Sequence, residues 1–394
     1  MYDVVVVGGG PVGSYAAYKL AGMGYRVVVL EQRESLGEPV CCTGIIGQEC
    51  VNSFAIDDNL ILRRVNSARL FSPSGKLLRL WQQETQAYIL DRVAFGVAVA
   101  SRAQGKGAEY MLNCPVRNVE VGDGKVRVKV ARQGERLKFE GRAVVIASGF
   151  GYRLVEQSGV GRISHFVMGA QAEVETVGIN EVEVYFGHGV APGFFAWLVP
   201  VSPRKARLGL LSHHRPGLYL RRLMLSLVAQ GKITSGEAEL RYGGVALKPL
   251  ARTYGERLLV VGSAAGQVKP TTGGGIYYGL LCADIAANNL HRALESNDLS
   301  AKGLANYERE WRRKLGRELR IGYWARKLYG RLSDRQIDMI FSIVAAGGMD
   351  KALLNAADVS FDWHSGGLLR LLRHRAISKA IEVATTPFRL GGRV

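Results

Sequence analysis

Short unbroken apolar runs at 4–7, 143–147 and 258–261 punctuate this chain, each halted by glycine or serine. Runs of that length without polar alternation suit strands covered on both faces, as in a parallel sheet. A helical segment and a further apolar stretch at 25–30 follow the first run, giving strand, helix, strand. The spacing then predicts a helix over 88–100, a short strand over 110–116, and a hairpin of 125–131 with 136–139 around Gln133 and Gly134. From about residue 162 the pattern turns β-rich, with strands expected at 182–186, 195–199 and 206–211 and a helix at 218–230. The run at 258–261 restores the first rhythm, and a helix from Ile276 to about Leu294 follows its glycine-rich loop. This order implies an α/β unit of 1–161 plus 246–300, interrupted by a β-rich substrate domain at 162–245 and followed by a basic helical region at 301–394.

The junction between the first strand and its helix carries specific chemistry. Gly8, Gly10 and Gly13 stand in GxGxxG spacing, and Glu31 ends the second strand. Gly8 permits a tight turn, Gly10 lets backbone approach phosphates, and Gly13 lets helix and strand pack closely. The helix N-terminus faces negative charge, and Glu31 can accept hydrogen bonds from a ribose. The unit is a Rossmann-like βαβ motif that holds a dinucleotide by its pyrophosphate. A second block runs from Leu258 through Ser263 and Pro270 to Gly273, Gly274, Gly275 and Ile276. Only small residues let backbone amides come up against a flat ring or a polyol chain.

Charge and cysteine content narrow the setting. The net charge is +18, and 301–394 supplies half of that excess, with 18 Lys/Arg against 9 Asp/Glu. Nucleic acid is the first partner such a balance suggests, yet no nucleic-acid motif accompanies it, so no nucleic-acid partner is expected. An anionic membrane surface or a phosphorylated substrate explains the patch equally well. Five cysteines point to a reducing cytosol. No CxxC or HExxH spacing occurs, and no metal is expected. No apolar run reaches the length of about 20 residues that spans a bilayer, and Met1 leads directly into the first strand. The expectation is a cytoplasmic protein, with peripheral contact at the membrane surface as an option. The stripe of Leu368, Leu369, Leu371, Leu372, Ile377 and Ile381 among Arg370, Arg373, Arg375 and Lys379 could serve that contact, or simply pack on the domain.

Four stretches together carry a family resemblance: the Gly8 turn with Glu31, Pro39-Val40-Cys41-Cys42, Tyr88-Ile89-Leu90-Asp91-Arg92, and Phe195-Ala196-Trp197-Leu198-Val199-Pro200. The last is similar to an aromatic-x-Trp-x-aromatic-Pro signature. The chain resembles the flavoproteins that share the para-hydroxybenzoate hydroxylase fold, and within them the geranylgeranyl reductases, including archaeal members that saturate isoprenoid chains of membrane lipids. The resemblance implies FAD extended across the first domain, with its ring bordering a cavity under the second. It implies cofactor contacts from Gly8, Gly10, Gly13, Glu31, Arg33, Cys42, Thr43 and Arg92. Val116, Ser148, Gly149, Ser263, Gly274, Gly275 and Ile276 complete that set. Phe195 and Trp197 would line the isoprenoid channel together with His188, and Cys42 would give or relay the proton that balances a hydride.

Two positions depart from the family pattern, which has aspartate where this chain has Ser148 and Ser263. Neutral hydrogen bonds are worth about 1 kcal/mol and charge-assisted ones about 1.5–3 kcal/mol, so a weaker hold on FAD is expected. No second dinucleotide turn is present, so electrons would come from NADPH or reduced ferredoxin in transient contact. The implied activity is reduction of carbon–carbon double bonds in a prenyl diphosphate or prenyl lipid. A flavin monooxygenase of the same fold, acting on an aromatic or quinone-like ring, and a degenerate flavoprotein that mainly binds prenyl lipid remain open alternatives.

Overall fold

The computed structural model describes residues 1–37, 41–132, 135–346, 360–373 and 377. Pro39, Val40, the Gln133–Gly134 tip, Arg375, Lys379 and Ile381 therefore lie outside the described residues.

The unbroken apolar runs form a parallel sheet buried on both sides. The strand Tyr2–Val7 pairs in parallel with Val27–Leu30 on one side and with the end of Glu135–Ile146 on the other, and Leu258–Val260 lies beyond that. Val4 and Val6 face a cluster with Ala16, Leu20, Ala283 and Leu290, while Val5 and Val7 face one with Val126 and Val128. Neither face meets water, so no polar residue is tolerated at alternate positions.

Three local expectations need correction. The stretch 88–100 is not one helix: Ala87–Leu90 is a buried strand, and the helix is Arg92–Gln104. Asp91 makes the break, its carboxylate accepting from the N–H groups of Val93 and Ala94, each at 3.0 Å. Such a cap is worth about 1 kcal/mol, and apolar residues on both sides of it hide the change of period. The strand expected at 110–116 ends at Met111, since Asn113 takes φ 55 and Val116–Gly122 starts a new antiparallel strand. The segments 136–139 and 143–147 are one 12-residue strand, Glu135–Ile146, which pairs first with Lys125–Arg132 and then with Tyr2–Val7.

A second sheet has seven strands among the described residues. Its Val182–Phe186, Phe195–Ser202 and Lys205–Ser212 strands fall where the pattern put them. Two more strands, Ser67–Phe71 and Leu77–Trp81, come from outside 162–245, and the first of them pairs in parallel with Val182–Phe186. Along Lys205–Ser212 the residues alternate. Ala206, Leu208 and Leu210 pack with Leu220, Met224 and Leu227 of the helix Pro216–Ala229, whereas Arg207, Gly209 and Leu211 take the opposite face.

The helix Ile276–Glu295 covers the parallel sheet beside Pro11–Gly22. Helices Ala301–Tyr329, Asp334–Ala346 and Ser365–Arg373 follow. No helix among the described residues is long and apolar enough to cross a membrane.

Candidate cofactor and substrate site

Neighbouring parallel strands end in the residues singled out for the cofactor. Val7 leads into Gly8, Leu30 into Glu31, Ile146 by way of Ala147 into Ser148, and Val260 by way of Val261 into Gly262 and Ser263. The carboxyl edge of such a sheet is where crossovers leave a crevice for a ligand. Gly8 has φ +107, and a Cβ there would strike the Ala147 carbonyl. A Cβ on Gly13 would collide with the Gly8 carbonyl oxygen, so helix and turn touch as the motif requires. Around Gly10 nothing lies within 4 Å of the corresponding position, and this residue starts the helix Pro11–Gly22 without any side-chain cap. With no side-chain cap among the described residues and open space beside Gly10, this helix start suits a phosphate.

The late loop closes on that turn through Val12, whose Cγ1 lies 3.0 Å from the Cβ position of Gly262. Gly275 heads the helix Ile276–Glu295, again with no side-chain cap, and the Ser263 hydroxyl is 3.5 Å from its Cβ position. Ser148 has a buried hydroxyl with no partner among the described residues, and Gly149 beside it has φ +72. Val116 sits in an antiparallel ladder opposite Val130. Arg33 contributes its backbone, giving an N–H to Glu31 at 3.0 Å and receiving one from Asn113 at 2.7 Å.

Arg92 occupies the first position of the helix Arg92–Gln104, where a cation opposes the helix dipole. Its Nε and one Nη are buried without partners among the described residues. Gly44 leaves room for it, since a Cβ there would come 2.7 Å from the Arg92 Cγ and 3.0 Å from an Arg207 Nη. A buried orphan hydroxyl and a buried orphan guanidinium are what a polar ligand along this edge would satisfy.

Arg207 fixes the cysteine loop. It donates to the carbonyls of Thr43 at 2.6 Å and Leu90 at 3.0 Å. Burial pushes its pKa down, and Cys42 works against that shift. Thr43 also donates to the buried Gln171 at 3.2 Å. Cys41 lies against Gly243, where a Cβ would be 3.4 Å from its sulfur, and burial followed by the neighbouring Cys42 pushes its thiol up to about 11. Trp197 stands over Gly209, with its Cζ2 2.6 Å from the Cβ position and its indole N–H buried and unpartnered. Phe195 meets Trp197 edge-on at 6.2 Å, and Leu211 lies 3.4 Å from the Cβ position of Gly273. The aromatic strand, the cysteine loop and the late glycine loop therefore border one region.

His188 is occupied elsewhere. Its ring Nε2 bonds the Leu332 carbonyl at 2.7 Å, and its backbone N–H donates to Asp334 at 2.8 Å, which ties its loop to the start of the helix Asp334–Ala346. The signal for Arg207 was present but faint: an Arg-x-Gly-x-Leu face alternating with Ala, Leu and Leu inside one strand. The segment 360–365 carried no signal at all, yet it is strapped across the late loop. Lys269 donates to the Phe361 carbonyl at 2.5 Å, Thr271 pairs with His364 at 2.7 Å, and Asp362 accepts from the N–H groups of Gly47 and Glu49 at 3.2 and 3.1 Å.

A family profile for pyridine nucleotide-disulphide oxidoreductases matches residues 2–179. The digeranylgeranylglycerophospholipid reductase of Methanocaldococcus jannaschii is 31% identical over 352 residues, covering 86% of this chain and 90% of that protein. The corresponding Methanopyrus kandleri protein is 31% identical over 357 residues, covering 86% and 89%. Among solved structures, a geranylgeranyl bacteriochlorophyll reductase-like protein of Thermoplasma acidophilum superposes with a TM-score of 0.84 at 25% identity, covering 97% of this chain and 99% of that one. A halogenase solved with FAD shares the fold at a TM-score of 0.67 and 14% identity, covering 97% and 85%. With this site and these relatives, the chain belongs to the geranylgeranyl reductase family of flavin-dependent oxidoreductases.

Proposed function

We propose that the chain is an FAD-dependent reductase that saturates carbon–carbon double bonds of a geranylgeranyl-type chain carried on a prenyl diphosphate or prenyl lipid. One observation carries the substrate side of this reading: Trp197 and Phe195 share the sheet face that borders both the cysteine loop and the Gly273–Gly275 turn. Flat apolar side chains there suit a hydrocarbon laid against a flavin ring. On the cofactor side, the residues fit FAD. Gly8, Gly10 and Gly13 with the uncapped helix would take the pyrophosphate, Arg92 would reach the phosphates or the ribitol end, and Ser148 and Ser263 would bond the ribitol chain. Bound flavin supplies the hydride.

The protein's own residues do the rest. The aromatic face holds the alkene and excludes water, and the Cys42 thiol, in a loop fixed by Arg207, gives the proton to the second carbon. NADPH or reduced ferredoxin is the proposed electron source, and the net positive charge favours either acidic partner. Contact with an anionic membrane is part of the proposal. Leu369 lines one apolar groove with Ile321, Trp324 and Leu328, Ile377 is buried, and Trp324 is 59% exposed in the same groove as Lys327 and Arg331.

Anaerobic photoreduction followed by addition of geranylgeranyl diphosphate or a geranylgeranyl glycerophospholipid tests the reading. Reoxidation of the flavin, with a gain of two hydrogens per bond by mass spectrometry, is expected. Oxygen consumption with an aromatic substrate would move the chain to the monooxygenases, and binding without redox change would make it a lipid-binding module.

A further inference from the structure

Arg326 is a buried cation for which the described residues provide no counter-charge. It lies one turn beyond Gly322 on the helix Ala301–Tyr329, and Gly322 packs against Pro270 with 3.2 Å from its Cβ position to the Pro270 Cδ. The side chain is 7% exposed. Its guanidinium is stacked on Phe194 at 3.8 Å, with Tyr329 at 4.4 Å and Phe195 at 6.0 Å. Nε is buried without a partner, and no ion pair or hydrogen bond with a described residue compensates the charge. The Tyr329 hydroxyl is already engaged, donating to the Phe194 carbonyl at 2.9 Å. Burial pushes the Arg326 pKa down to about 10, which still leaves it a cation at neutral pH.

Stacking on an aromatic face offsets only part of the cost of desolvating a guanidinium, so an arginine with no counter-charge among the described residues has a ligand's worth of charge to satisfy. Its surroundings show where that ligand would sit. Phe194 packs with Leu211, Trp197 and Val245, the wall that reaches Gly273. Phe194 also meets the exposed His213 edge-on at 5.4 Å, so the ring that carries the cation reaches close to the surface.

We infer that Arg326 anchors the phosphate of the prenyl substrate, the anionic head entering past His213 while the hydrocarbon runs along Phe195 and Trp197 toward the Gly273–Gly275 turn. This inference rests on the reductase reading for its ligand class. A planar guanidinium suits it because two N–H groups can meet two phosphate oxygens at once.

Calorimetric binding to the flavin-loaded protein separates the possibilities, using geranylgeranyl diphosphate, the uncharged geranylgeraniol, and NADPH. Arg326→Met should weaken geranylgeranyl diphosphate about thirtyfold, leave geranylgeraniol within about twofold, and leave NADPH unchanged, while Arg326→Lys recovers part of the loss. Equal weakening of the diphosphate and the alcohol would mean that Arg326 only packs the wall, and the inference fails. Loss confined to NADPH would assign the cation to the electron carrier and overturn it equally. Turnover under anaerobic conditions is read on the same samples. A wild-type protein that shows the binding contrast without reducing either ligand would refute the reductase reading and leave the anchor standing.

Discussion

The carboxylate of Glu31 accepts the backbone N–H of Gly9 at 2.6 Å. Its other oxygen takes the Arg33 N–H at 3.0 Å, so the acid at the end of the second strand holds the glycine turn in shape before any ribose arrives. Removing it leaves two N–H groups without their acceptor, at a cost of about 1–3 kcal/mol each where they are buried. Glu31→Ala is therefore expected to lower the stability of the FAD-free protein in urea titration as well as its affinity for FAD. An apoprotein as stable as wild type would show that the turn does not depend on this acid.

Arg92 should behave in the opposite way. A cation at the first position of a helix is disfavoured by a few tenths of a kcal/mol, and two of its nitrogens are buried without partners. Arg92→Gln is expected to leave the apoprotein as stable as wild type or slightly more so. FAD binding should weaken by about 1.5–3 kcal/mol, which is about ten- to hundredfold. Flavin fluorescence titration alongside thermal melts reads both effects.

These two residues also show how far the sequence could be read. Glu31 was found because it stands at a fixed distance from the glycine turn, and local spacing survives folding; Arg92 came only through the family resemblance of the stretch Tyr88-Ile89-Leu90-Asp91-Arg92. The strands Ser67–Phe71 and Leu77–Trp81 were not found: the first joins Val182–Phe186, more than a hundred residues away, and the second belongs to that sheet only through its pairing with the first. Asp91 was quoted within a motif but not recognised as a cap, since the apolar residues around it satisfy a helical period on both sides. Arg326 and the strap at 360–365 escaped for the same reason as the strands: what makes them notable is a distant partner, or the lack of one.

The two adjacent thiols can be told apart. Cys42 faces Arg207, whereas Cys41 lies against Gly243 with its thiol pushed up to about 11 and hence neutral throughout the working range. Loss of a positioned proton donor costs about a hundredfold or more in rate. Cys42→Ala should show that loss in single-turnover flavin reoxidation with normal flavin content, while Cys41→Ala changes it only severalfold. The reverse pattern would transfer the role to Cys41.

Glu183 tests the second sheet independently of the flavin. Its side chain is 2% exposed and is paired with Lys232 at 2.7 Å and Arg69 at 3.1 Å, with the Tyr185 hydroxyl also bonded to it. Breaking a buried pair by removing one partner costs about 3–5 kcal/mol, because the remaining charge is stranded. Lys232 keeps some solvent access, at 18% exposure, so the lower end applies. Glu183→Ala should lower the urea midpoint accordingly, and a loss below about 1 kcal/mol would show that water reaches and rescues both Lys232 and Arg69.

His364 makes the strap sensitive to acid. Burial, and after it the charge of Lys269, pushes its pKa from 6.5 to about 3. The unfolded chain therefore binds a proton between pH 6.5 and 3 that the folded chain refuses, and stability falls as pH drops through that window. Asp362 works against this, because burial raises its pKa above 3.8 and folding there favours the protonated acid at low pH. The His364 window runs from 6.5 down to about 3. Hydrogen exchange in 360–365 should accelerate from pH 6.5 to 5 in the wild type, after correction for the intrinsic rate. In His364→Gln, where no ring titrates, that acceleration should disappear. If the variant keeps it, another group opens the strap, and the Thr271–His364 bond does not hold the late loop closed.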